Sequence, residues 1–189
     1  MDQESWKNFS DKDRNLYFVY AIIFLGILAR FIPHMPNLAP VTALAIFAAV
    51  YLPKKQAIAL PLAVRFVSDI FLGFFAWQQM LVVYACHLFG VLLGLWVKSS
   101  ESTSRRTIKI VSSGVISAAL FFLATNLAFL YSVYPHTWAG VVESYANGLP
   151  FLRGTLMGDV GYTLALFGAY ALATRANALR ANKLEIQEA

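Results

Sequence analysis

Met80–Val97 reads MLVVYACHLFGVLLGLWV, a run without a single charged side chain that is closed by Lys98. A helix needs roughly 20 mostly apolar residues to cross a hydrocarbon core of about 30 Å, so this stretch reads as a membrane span. Five further apolar runs flank it between charges and prolines: Leu16–Phe31, Val41–Leu52, Ala57–Gly73, Ile110–Tyr131 and Thr155–Ala173. The expected fold is therefore an all-α membrane protein, a six-transmembrane-helix bundle. Its membrane domain covers residues 15–175, between a cytoplasmic N-terminal segment, 1–14, and a cytoplasmic tail, 176–189. Val41–Leu52, fenced by Pro40 and Pro53, is too short for a full crossing and is expected to be enclosed by its neighbours or incomplete.

Composition agrees with this reading. Hydrophobic residues make up 59% of the 189 and charged residues 13%, and the mean hydropathy is +0.60, outside ordinary soluble usage. The net charge of +5 points to no nucleic-acid partner, because the basic residues are scattered between apolar runs instead of sharing one face. They report orientation. All of the 15 lysines and arginines except Arg30, Arg65 and Arg153 fall on one side of the bundle, and positive charge collects on the cytoplasmic side. Both termini are thus expected inside. The first run is expected to stay as an anchor, since MDQESWKNFSDKDRN is acidic and no small-x-small cleavage pattern follows Ala29.

The outer side then carries three connections: residues 32–40, 74–79 and 132–154. In the last, TWAGVVESYANGLPFLRG has apolar residues at helical spacing before Gly148 and Pro150. It is expected to form a short interfacial helix that stops there and hands over to the last span. The loop SSESTSRR reads as a solvated linker, and the chain contains no internal repeat.

Ionisable groups within such runs mark candidate sites, because each is costly in lipid. Arg65 and Asp69 lie four apart on one helix face and suit an ion pair, which in a purely structural role lets the helix insert. Asp159 follows Arg153 within the first turns of the last run, where a carboxylate gains from the helix dipole. An outward-facing substrate pocket is expected to draw on His34 in RFIPHMPNLAP, Asp69, Cys86, His136 in YPHTWAG, and Arg153. The aromatic residues near them suit either a binding wall or an interfacial belt. Cys86 lies roughly 10 Å below the outer start of its helix, at 1.5 Å per residue. It reads as a small buried hydrophobe or as a soft metal ligand, with His87 the weaker candidate on another face. No GxxxxGK[ST], HExxH, GxSxG or CxxC motif occurs, so a nucleotide engine or a common intramembrane hydrolase is not expected.

RFIPHMPNLAPVTALAIF (30–47), LPLAVRFVSDIFLG (60–73) and YPHTWAGVVESYANGLPFLRGTLMGDVGYTLALFG (134–168) resemble a family of small bacterial membrane transport proteins. That family is itself similar to the substrate-binding S components of energy-coupling-factor vitamin transporters. The resemblance implies an S-component-type bundle in the bacterial inner membrane that binds a vitamin-like small molecule near the outer face. VVYACHLFG (82–90) looks like the solitary cobalamin transporter branch. There Cys86 would ligate the cobalt of a bound corrinoid, with His34, Asp69 and Arg153 around it. On this reading no cofactor is built in and cobalamin is cargo. The first run offers no AxxxA face on which an energising module docks. Ala45 and Ala49 in the second run have that spacing, and both solitary and module-driven action stay open. Two other classes compete: a membrane-embedded enzyme using Cys86 with His87 or His136, and a structural subunit whose charges mediate helix association.

Overall fold

The structure, a computed structural model, describes residues 11–32, 35–130 and 133–188. His34 lies outside the described residues. Among them the chain is all-helical: α1 (Asp11–Ala29), α2 (Val41–Tyr51), α3 (Lys54–Leu72), α4 (Trp77–Lys98), α5 (Thr103–Phe129) and α6 (Trp138–Glu188). The six helices match the six apolar runs. Three of them, α4, α5 and α6, are long and apolar enough to cross a membrane. The apolar part of α1 is Asn15–Ala29, and α2 is shorter still. In α3, Lys54, Lys55, Arg65 and Asp69 interrupt the apolar character.

α2 is the centre of the molecule. Its 11 residues are apolar all round except for Thr42, and Val41–Val50 are all buried. A helix of this kind has no face to offer solvent, so its neighbours must wrap it; α4, α3, α6, α1 and α5 all pack on it. The closest approach is to α4. A methyl group on Gly94 would lie 2.6 Å from Ala49 Cβ, and one on Gly90 3.2 Å from Ala45 Cβ. Small residues four apart on both helices let the two backbones meet. Ala45 and Ala49, which have the spacing of a docking face, are thereby used inside the chain, with 0% and 1% of their surface exposed.

Two anchors fix the ends of α2. At its C-terminus Phe47 and Tyr51 stack against Phe167 and Tyr170 of α6, with ring centroids 5.2 and 4.2 Å apart. Arg106 of α5 donates to Tyr51 Oη at 3.2 Å and lies over its ring. At the other end the chain enters as non-helical backbone. A Cβ on Gly154 of α6 would strike the Pro36 carbonyl, and one on Gly158 would lie 3.0 Å from Ala39 N. The segment 35–40 is thus laid along the glycine face of α6, and Asn37 takes a left-handed φ of 63° to make the turn.

α6 corrects another expectation. It runs unbroken for 51 residues, through Gly148 and Pro150, so no separate interfacial helix ends there. The reason lies in its partner α5. Ser144 Oγ donates to the Asn126 carbonyl and Tyr145 Oη to that of Leu123, each at 2.7 Å, and Gly148 is seated on the Asn126 side chain. This clamp holds the turn before Pro150 in line, although the proline removes one helical hydrogen bond. Asp159 therefore sits in the body of α6 and not in its first turns.

Candidate functional site

Where α4, α5 and α6 splay apart towards Trp77, Phe129 and Trp138, they enclose a cavity of about 520 Å³. α4 contributes Gln79 and Val83, α5 Phe121, Phe122, Thr125, Asn126 and Phe129, and α6 Ser144, Asn147, Phe151 and Thr155. Most of this wall is apolar and aromatic, with amide and hydroxyl groups set into it, which is the usual make-up of a small-molecule site. Arg65 of α3 is the one charged residue lining it among the described residues.

Arg65 is held by its own helix. Its Nε donates to Asp69 Oδ2 at 2.9 Å, one turn on, and its guanidinium lies over the Phe75 ring, 5.5 Å from the centroid. Asp69 is 1% exposed and accepts a second hydrogen bond from Tyr84 of α4 at 3.1 Å. A guanidinium has five N–H donors in a planar fork. Fixing Nε orients the rest without using them up, and Asp69 acts as the holder of Arg65 and not as part of the wall. Arg30, just past the end of α1, lies within electrostatic range of both.

A second polar cluster lies below the cavity. On every wall helix the cavity residues continue downward into it: Val83 to His87 on α4, Phe121 to Ser117 on α5, Thr155 to Asp159 on α6, each one turn or about 6 Å deeper. Ser117 Oγ contacts Asp159 Oδ2 at 2.8 Å, and Thr42 Oγ1 contacts His87 Nδ1 at 3.1 Å. All four residues are buried, and Thr42 belongs to the first turn of α2, whose unsatisfied N–H groups favour a carboxylate nearby.

The residues expected to form one outer pocket are not all brought together. Arg153 is exposed on α6, away from the cavity wall, and His136 is exposed just before that helix. Cys86 is buried with 7% of its surface accessible and sits one turn below the cavity-lining Val83. Asp69 reaches the cavity only through Arg65. Sequence reasoning missed Gln79, Asn126, Asn147 and Thr155 as wall residues, and treated His87 as secondary. For Asn126 and Thr155 a neutral polar residue inside an apolar run was the available signal; Gln79 and Asn147 lie in the outer connections and carried none. Among the described residues no three His, Cys, Asp or Glu side chains group as a metal site would require.

The model of a family described as a family of unknown function, DUF6580, matches residues 10–182. No curated protein and no solved structure matches the chain.

Proposed function

We propose that this chain, which belongs to the family of unknown function DUF6580, is a multi-pass membrane protein that binds a small organic anion for transport. On this reading α1 and α3–α6 cross the bacterial inner membrane, while α2 and the segment 35–40 together make one crossing as a buried half-helix and its lead-in. Non-helical backbone is tolerated at that depth where protein encloses it. Both termini face the cytoplasm, in line with the basic residues.

The observation that carries the ligand class is Arg65, aligned by Asp69, in the wall of an otherwise uncharged aromatic cavity. A carboxylate or phosphate on an apolar or aromatic body complements it: the anion meets the guanidinium fork and the body meets Phe121, Phe122 and Phe151. The volume of about 520 Å³ suits a drug-sized molecule or smaller. A corrinoid is larger than that, and Cys86, its expected cobalt ligand, is buried a turn below the wall. The corrinoid expectation from the S-component resemblance thus has less support than a smaller vitamin-like anion. The energising partner, a module or none, is left open by this reading.

The test is ligand-induced thermal stabilisation of the purified protein against a panel of small aromatic carboxylates, phosphorylated vitamin precursors and cobalamin. At least one anion is expected to raise Tm in the wild type and fail to do so in Arg65→Gln, with partial retention in Arg65→Lys. A ligand that binds Arg65→Gln as well as wild type would refute the anionic reading. A cobalamin spectrum altered by wild type but not by Cys86→Ser would restore the corrinoid.

A further inference from the structure

The hydroxyls that line the cavity from α5 and α6 have their protons committed elsewhere. Thr125 Oγ1 donates to the Phe121 carbonyl at 2.7 Å and Thr155 Oγ1 to the Phe151 carbonyl at 3.0 Å, each one turn back on its own helix. Ser144 Oγ donates across to the Asn126 carbonyl at 2.7 Å. The direction of these bonds is fixed, because a peptide carbonyl can only accept. A hydroxyl has one proton and two lone pairs, so all three present acceptors and no donor. Thr125 and Thr155, 8% and 4% exposed against 1% for Ser144, are the two that a ligand can reach.

Back-bonding of this kind is a common habit of Ser and Thr in helices. What is particular here is that two such threonines, on different helices, line one cavity. Arg65 enters the same cavity from α3, which packs on α2 and α4. Donors are therefore concentrated at the guanidinium, while the threonine stretch of the α5–α6 wall offers lone pairs set among Phe121, Phe122 and Phe151. Amide donors remain at Gln79, Asn126 and Asn147, although one N–H of Asn126 is taken by the Phe122 carbonyl at 2.7 Å.

We propose that the cavity selects anions whose apolar body carries an O–H or N–H group, with Thr125 and Thr155 as the acceptors that read it. This rests on the anion reading for the end of the ligand that meets Arg65. The ligand class narrows accordingly, to hydroxy- or amino-substituted aromatic carboxylates and phosphates. A methyl group or halogen at the same position would lie against oxygen lone pairs and leave them unpaired. Sites that hydrogen-bond a ligand's OH or NH reject the analogue lacking it more firmly than a greasy pocket rejects a missing methylene.

Binding of cinnamates to the purified protein tests the proposal. Hydroxy- and aminocinnamates substituted at the para or meta position are compared with the methylcinnamates, which match them closely in size and carry the same carboxylate. At least one hydroxy or amino compound is expected to bind wild type about tenfold more tightly than its methyl counterpart, the worth of one well-made hydrogen bond. In Thr125→Val/Thr155→Val that advantage should fall to about twofold or less. Methylcinnamate binding should be retained there, which shows that the variant's cavity is intact. Equal binding of methyl and hydroxy compounds by wild type, lost for both in Arg65→Gln, would overturn the acceptor wall and leave the anion reading standing. A donor advantage unchanged in the double valine variant would also overturn it. Full affinity with the donor advantage kept in Arg65→Gln would refute the anion reading instead, and binding of no cinnamate by wild type would count against both.

Discussion

Asp69 owes its burial to two partners, and their removal separates its roles. Losing the carboxylate strands Arg65 in a half-buried position, whereas losing the Tyr84 hydroxyl leaves the ion pair intact. Asp69→Asn is expected to cost about 3 kcal/mol, at the lower end for a broken buried pair because Arg65 is partly solvated, and Tyr84→Phe about 1 kcal/mol. Denaturation of both variants in detergent checks the ratio, which equal losses would contradict. Asp69→Asn should also weaken ligand binding through misplacement of Arg65. Gly94 carries a sharper steric constraint. Any side chain there meets Ile46 and Ala49 of α2, so Gly94→Val should destabilise by about 1–3 kcal/mol through overpacking. Gly161, where an added methyl group would have nothing within 4 Å, should accept alanine without loss. A Gly161→Ala variant as unstable as Gly94→Val would refute the packing account.

Among the elements, the helices were legible and their joints were not. Apolar runs ended within a few residues of where α1 to α5 end, because charge and proline interrupt hydrophobicity and helicity together. α6 escaped because Pro150, which normally stops a helix, is overridden by contacts from Asn126 and Leu123 that are remote in sequence. Wall residues such as Asn126 and Thr155 were hidden for a similar reason: only the crossing of α5 and α6 turns them towards the same space. The ion pair Arg65–Asp69 was readable from its spacing alone, since four residues is a local property of a helix. The segment 35–40 owes its place to Gly154 and Gly158. Gly154→Val and Gly158→Val are expected to lift it from α6, which limited proteolysis would report as new cleavage between Met35 and Pro40. An unchanged digestion pattern would mean that the segment is held by other contacts.

At the scale of the whole molecule, sidedness is the property most open to measurement. In a Cys86→Ala background, Trp138→Cys should react with a membrane-impermeant maleimide in intact cells, and Ser102→Cys only after permeabilisation. The reverse pattern would invert the bundle and move the cavity to the cytoplasmic side. Native Cys86, being buried, should stay unlabelled until denaturation. The enclosure of α2 also bears on how the protein is made. Apart from α1, every helix that covers it comes later in the chain, and the rings that close over Phe47 and Tyr51 belong to Phe167 and Tyr170 of the last helix. Until those rings arrive, a segment too short to cross lipid must wait half-housed, so the first helices made cannot seal without the last.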